Sequence, residues 1–278
     1  MKEFKLVRRI PRDMGENVEG MIALDNRGLM RFGTPNADKK ALLALDDLMA
    51  AAIKLDRMNQ VHCYVALEKC GALREMREFM SRRPETAFSP DFVDLWNLHR
   101  CIRARAPKVV WEFGSGLSTL VMAHALQANQ GGRLFALEPD ETWAMNTIDA
   151  LSPHLREHCD VFHSPAQACS IEGKPTVRFA DRPDALPEMI YVDGAHRGAE
   201  YQGVEDIYFL EQDLAPGSVV LVDGRFKAVA FFFENHLRRK WKLDAQLIFV
   251  DMVMEKRHPY GTRFGLDQFS NAYFRLVG

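Results

Sequence analysis

The sequence predicts an α/β protein: a doubly wound, mostly parallel seven-stranded sheet, preceded by a smaller and mainly helical N-terminal region. Three observations predict it. From residue 109 onward, short continuous apolar runs recur at helix-length intervals, the pattern of strands covered on both faces of a parallel sheet. The first run passes directly into the glycine turn Gly114-Ser115-Gly116. Two later runs end in the same dipeptide, Asp193-Gly194 and Asp223-Gly224. Residues 1–88 carry no comparable series of runs, so they are read as a cap or oligomerisation region, with the main domain spanning 89–278.

In the N-terminal region, Met21–Leu24 and Gly28–Phe32 are predicted as two short strands around the turn Asp25-Asn26-Arg27. Beyond Gly33-Thr34-Pro35, the apolar residues Leu42, Leu45, Leu48, Met49, Ala52 and Ile53 fall at helical spacing and predict a helix over 37–58. A second helix is predicted over 61–80, followed by a linker through Arg82-Arg83-Pro84-Glu85-Thr86. Ser89 is the expected N-cap of the next helix, with Pro90 at its first position. The predicted sheet strands are Val109–Phe113, Leu134–Glu138, Val161–His163, Met189–Asp193 and Val219–Asp223, then Leu247–Met254 and Ala272–Val277. A helix from Ser118 to Ala128 is expected to stop at Gly131-Gly132. Phe231, Phe232, Phe233, Leu237 and Trp241 are read as the inner face of the helix after Asp223. Lys227, Arg238, Arg239, Lys240 and Lys242 are read as its solvated end.

Composition narrows the function classes. The net charge of −2 argues against a general binder of nucleic acid or anionic membrane. No apolar run approaches the roughly 20 residues that span a bilayer, and the opening Met1-Lys2-Glu3-Phe4-Lys5 has no secretory apolar core. The five cysteines are odd in number and never form a Cys-x-x-Cys pair. A disulfide framework or a structural zinc site is therefore not expected, and reduced thiols in the cytoplasm are.

The glycine turn is where chemistry enters. A ligand on a doubly wound sheet binds beyond the carboxyl ends of the strands, and glycines there let the backbone approach it. The next strand ends at Glu138, whose carboxylate is placed to accept hydrogen bonds from ribose hydroxyls. Taken alone, Gly-x-Gly is also an ordinary tight turn. The strand before it, the helix after it and the acid at the next strand end together point to a nucleoside. Thr119 stands where a dinucleotide fingerprint carries its third glycine, which argues against a pyrophosphate.

The run Glu112-Phe113-Gly114-Ser115-Gly116-Leu117-Ser118-Thr119 resembles motif I of class I S-adenosylmethionine-dependent methyltransferases, and Glu138 resembles their motif II acid. The resemblance covers about residues 90–278 and implies a Rossmann-like methyltransferase fold. It implies that Gly114 and Gly116 run beneath the methionine part of the cofactor, that Glu112 helps order that loop, and that Ser115, Ser118 and Thr119 belong to the cofactor-binding set. It also implies that Glu138 binds the ribose, that Ser164 after the third strand lies near the adenine, and that Asp193 borders the cofactor. The frequent acid near Ser164 is missing from 164–168. Trp143 is expected beside the adenine or in the interior of its helix.

Asp193 and Asp223 end neighbouring strands at the active edge. Two carboxylates with water and substrate oxygens suit Mg²⁺, so they are the candidate metal ligands. Asp193-Gly194-Ala195-His196 resembles the group of methyltransferases that includes antibiotic-sugar and glycan-modifying O-methyltransferases. His196 is the candidate general base, with Asp193 beside it as the second catalytic residue. Gly224 stands where metal-dependent relatives carry a further ligand. Arg197 and Arg225 flank this edge and are read equally as anion contacts or solvated charges. The expected activity is O-methylation of a small-molecule or glycan hydroxyl, with S-adenosylmethionine as cofactor, Mg²⁺ as an optional aid, and self-association through residues 1–88 as an option. Two other readings are a non-catalytic nucleoside-binding protein and a nicotinamide-dependent oxidoreductase; the latter lacks a Tyr-x-x-x-Lys pair.

Overall fold

A computed structural model describes residues 5–9, 21–24, 30–32, 60–83, 90–193, 205–223, 232–233, 235–248 and 270–278. The expected helix over 37–58 lies outside them.

The central sheet contains β4 (Val109–Phe113), β5 (Arg133–Glu138), β6 (Cys159–His163), β9 (Met189–Val192), β10 (Val219–Val222), β11 (Trp241–Ile248) and β12 (Ser270–Leu276). Their order is β11-β12-β10-β9-β4-β5-β6. β12 pairs antiparallel with both β10 and β11, whereas β9, β10, β4, β5 and β6 pair in parallel. This is the predicted seven-stranded, mostly parallel sheet. The backbone of β1 (Lys5–Arg9), β2 (Met21–Leu24) and β3 (Met30–Phe32) continues it antiparallel beyond β11. A separate hairpin is formed by β7 (Ala166–Ile171) and β8 (Lys174–Phe179).

Burial on both faces follows the two-residue period of a strand. Trp111, Phe113, Ile190, Val192, Val220 and Val222 point into one core, with Ile207 and Leu210 of helix α7 (Glu205–Leu210). Val110, Leu134, Met189, Tyr191, Val219 and Leu221 point into the other. That second core is covered by α3 (Phe92–Arg105) through Leu98 and Ile102, and by α4 (Leu117–Ala128) through Leu120, Met122 and Leu126. Burying one such leucine, valine or isoleucine contributes about 1.5–3 kcal/mol.

Helix boundaries sharpen the expectations. The N-cap of α3 is Asp91, not Ser89: its carboxylate accepts from Val93 N at 2.9 Å and Asp94 N at 3.0 Å. An anionic cap also complements the positive end of the helix dipole, which Ser cannot do. The predicted helix over 61–80 is two helices, α1 through 60–70 and α2 (Leu73–Arg82), broken where Gly71 takes φ +91°. Neither lies apart from the main domain. Leu67, Leu73 and Met76 pack with Leu95 and Val121, and Phe79 joins the core with Ile102, Leu120 and Leu126.

Two expectations near the C-terminus are corrected. Trp241 does not continue a helix; it opens β11, which reaches only Ile248 among the described residues instead of starting at Leu247. Trp241-Lys242-Leu243-Asp244-Ala245-Gln246-Leu247 alternates at period two, the strand signature that outweighs the aromatic run before it. Arg238, Lys240 and Lys242 are exposed, as expected, whereas Arg239 is half-buried. The backbone N–H groups of Arg238 and Arg239 donate to Glu211 at 2.8 and 3.2 Å, and the Arg239 guanidinium donates to the carbonyls of Glu211 and Leu214.

Candidate cofactor and active site

Progression through the sheet reverses at β4. The chain first adds β5 and β6 on one side, then returns to add β9 and β10 on the other. A crevice beyond the carboxyl ends opens at such a switch point, and the glycine turn leaves β4 directly into it.

Buried hydrogen bonds hold the turn. Glu112 is fully buried; its carboxyl meets Ser118 Oγ at 2.5 Å and accepts from Thr119 Oγ1 at 2.6 Å. Thr119 Oγ1 in turn accepts from Gly116 N at 2.8 Å, and Gly114 N donates to Leu137 O at 2.8 Å. Ser118 Oγ also lies 3.1 Å from Asp193 Oδ2. Ser118 has a single hydroxyl proton for two carboxyl neighbours, so one carboxyl must be protonated if both contacts are hydrogen bonds. Burial pushes the Glu112 carboxyl well above the usual carboxylate range, and the nearby charges of Asp193 and Glu138 push it the same way. Glu112 is therefore the neutral member.

Gly116 stands at φ +149°, and a Cβ there would lie 3.3 Å from Trp143 Nε1 and 3.6 Å from Phe79 Cζ. Trp143 lies on α5 (Glu141–Ala150), which is capped by Asp140 accepting from Trp143 N at 2.8 Å. Its indole N–H donates to Ser115 O at 2.5 Å, and its ring meets Phe79 edge-on at 5.4 Å. The polar edge of Trp143 is thus spent on the glycine turn.

Glu138 ends β5 and is 5% exposed. It accepts from Ser115 Oγ and from Asp140 N, each at 3.1 Å. Burial raises its pKa to about 7 against those two bonds, which lower it. Ser164 is fully buried; its hydroxyl accepts from Asp181 N at 2.9 Å and its N–H donates to Glu138 O at 2.8 Å. Ser164 thus fastens the β7–β8 hairpin to the end of β6. The hairpin brings the exposed Asp181 back to that edge, supplying an acid that residues 164–168 lack. Only the two-residue turn Glu172-Gly173 marks the hairpin in the sequence.

Asp193 and Asp223 directly follow β9 and β10, whose ends pair Val192 with Val222. Asp193 N donates to Phe113 O at 3.0 Å, and Asp223 N donates to Val192 O at 2.9 Å. Among the described residues, no third carboxyl, imidazole or thiol converges with these two aspartates. Gly194, His196, Arg197, Gly224, Arg225 and Lys227 lie outside the described residues.

A family model described as a methyltransferase domain matches residues 111–224, from the middle of β4 to the residue after Asp223. The matched stretch covers the glycine turn, Glu138, Asp193 and Asp223. Among solved structures, the chain is similar to a putative O-methyltransferase from Klebsiella pneumoniae. The identity is 11%, over 81% of this chain and 100% of that one, with a TM-score of 0.50. It is also similar to the O-methyltransferase TomG from Streptomyces achromogenes, involved in tomaymycin synthesis and solved with S-adenosylmethionine, at 19% identity over 77% and 90% of the chains, TM-score 0.45. An O-methyltransferase from Bacillus cereus, solved with S-adenosylhomocysteine, is 14% identical over 73% and 90%, TM-score 0.48. No curated protein matches the chain. No helix among the described residues is long and apolar enough to cross a membrane.

Proposed function

We propose that the protein is a class I methyltransferase that transfers the methyl group of S-adenosylmethionine to a hydroxyl of a small molecule or glycan. The reading is supported above all by one arrangement at the switch point. The Glu112–Ser118–Asp193 chain links the glycine turn under β4 to the end of β9, so the loop expected to hold the cofactor and the edge expected to hold the acceptor are one hydrogen-bonded unit. In this reading Glu138 fixes the ribose, and Asp181, whose N–H donates to Ser164 Oγ, contacts the adenine.

Methyl transfer is an in-line displacement, and most of its acceleration comes from orientation. Asp193, held by Ser118, positions the acceptor. As the new O–C bond forms and the S–C bond breaks, the hydroxyl proton passes to His196, leaving S-adenosylhomocysteine. Asp193 and Asp223 would be the ligands of a Mg²⁺ ion if one takes part, and such an ion would lower the pKa of the acceptor hydroxyl. Turnover that survives exhaustive EDTA and does not respond to Mg²⁺ would remove that role and leave both aspartates as hydrogen-bonding groups.

The deciding experiment is calorimetry of S-adenosylmethionine, S-adenosylhomocysteine and NAD(H) with the wild type and Glu138→Ala. Binding of the sulfonium cofactor and its product, lost in the variant, is the expected result. Binding of NAD(H) alone overturns the reading. His196→Ala then separates chemistry from binding: turnover should fall about 10²–10⁴-fold, the usual worth of a general base, with cofactor affinity kept.

A further inference from the structure

Cys70, His99 and His124 come from three different helices and converge. Cys70 ends α1, His99 lies in the middle of α3, and His124 lies two turns into α4. The sulfur and one nitrogen from each ring all lie within 4.8 Å of one another. His99 Nε2 is 3.3 Å from His124 Nδ1. No local spacing announces the group, which is why the cysteine pattern alone argues against a zinc site.

We propose that Cys70, His99 and His124 bind a zinc-class divalent metal ion that pins α1 onto α3 and α4. Two nitrogens on one tetrahedral zinc, each at about 2.0–2.1 Å, sit about 3.3–3.4 Å apart, and a thiolate at about 2.3 Å sits about 3.6 Å from each. The imidazoles already have that separation. The sulfur needs to close by about an ångström at most, a rotation of the Cys70 side chain.

The tautomers fit. His124 hydrogen-bonds to the backbone of Cys70, and Gly71 lies against its Nε2. A ring that uses Nε2–H this way presents the Nδ1 lone pair to the metal, an outer-shell bond of the kind that orients ligating histidines. His99 is 4% exposed and stacked on Trp96 at 5.3 Å, and its Nδ1 has no partner among the described residues. No hydrogen bond therefore locks its proton, and moving it to Nδ1 frees Nε2 for the metal. Burial lowers the pKa of both rings, to about 4 for His99, so both are neutral ligands at neutral pH.

The Cys70 thiol now donates to Leu67 O at 3.2 Å. Metal binding replaces that S–H bond with an S–metal bond and releases one proton to solvent. Glu75 offsets the added positive charge, and Arg103 opposes it. Cys70 and His124 are only half-buried, which leaves an entry path and a fourth position for water. Zinc-class ions suit one thiolate and two imidazoles, whereas Mg²⁺ does not. The site lies outside the methyl-transfer machinery and stands whether or not that reading holds.

The test is a Co²⁺ titration of the full, reduced chain without S-adenosylmethionine. One equivalent should bring visible d–d bands and a near-ultraviolet thiolate-to-cobalt band, both displaced by Zn²⁺. Cys70→Ser should lose the thiolate band while keeping the wild-type far-ultraviolet circular dichroism. Zn²⁺ should raise the melting temperature of the wild type and not of Cys70→Ser. No cobalt spectrum, or one unchanged in Cys70→Ser, would overturn the site and leave a plain imidazole–imidazole hydrogen bond.

Discussion

Glu112 was legible in the sequence as the acid before the glycine turn, but its charge state was not. Burial and the neighbouring charges of Asp193 and Glu138 raise the pKa of this carboxyl and favour its neutral form. Glu112→Gln should therefore keep the network: the amide N–H₂ faces Ser118 and the amide oxygen accepts from Thr119. We expect a change within about 1 kcal/mol in urea unfolding for Gln, against about 2–4 kcal/mol lost in Glu112→Ala, which orphans two hydroxyls and opens a cavity. Equal losses in both variants would mean that the carboxylate is ionised. Glu138 gives the opposite case. Its carboxyl is neutral below about 7 and ionised above it, and only the carboxylate accepts from both ribose hydroxyls. Affinity for S-adenosylhomocysteine should thus rise with pH through about 7, by no more than tenfold per unit from this one group. Glu138→Gln should flatten that dependence. A wild-type affinity independent of pH between 6 and 8 would take Glu138 out of the ribose contact.

Elements were legible where burial on both faces forces continuous apolar runs, and six strands of the central sheet stand within two residues of their expected positions. The hairpin of β7 and β8 was not, because it is a small surface ribbon with polar residues at most exposed positions. Its turn, with Glu172 at φ +52° and Gly173 at φ +79°, has the positive φ values of a type I′ hairpin, a signal carried by two residues alone. His196 and its neighbours lie outside the described residues, so the sequence remains their only witness. The glycine turn invites a test at this scale. Gly116→Ala places a methyl 3.3 Å from the indole nitrogen that holds Ser115 O, in a backbone conformation that costs about 1–3 kcal/mol for a residue with Cβ. The variant should shift the tryptophan emission, lower the melting temperature and lose cofactor binding. Unaltered emission with weakened binding would place the damage in the ligand contact instead of the Trp143–Ser115 bond.

At the scale of the whole molecule, the open question of mechanism is whether residues 60–82 fold with the sheet or as a unit of their own. The sequence draws a boundary at 88, because the texture of the chain changes there. Packing speaks for union: Phe79 is 1% exposed, joins a core that includes Leu98, Ile102, Leu120 and Leu134, and buttresses the indole over the glycine turn. Phe79→Ala removes a ring from that core and should cost about 3–5 kcal/mol. If α2 belongs to the cooperative unit, the variant melts in a single transition at lower temperature, coincident by circular dichroism and tryptophan fluorescence. S-adenosylhomocysteine at a hundred times its dissociation constant should then stabilise wild type and variant alike by about 2.7 kcal/mol, with a lower affinity in the variant because Trp143 has lost its buttress. Two transitions, with the ligand moving only the later one, would show instead that 60–82 unfolds separately. The helical cap would then be a removable cover on the cofactor loop, and a Zn²⁺ ion at Cys70 would be the clasp that decides when it opens.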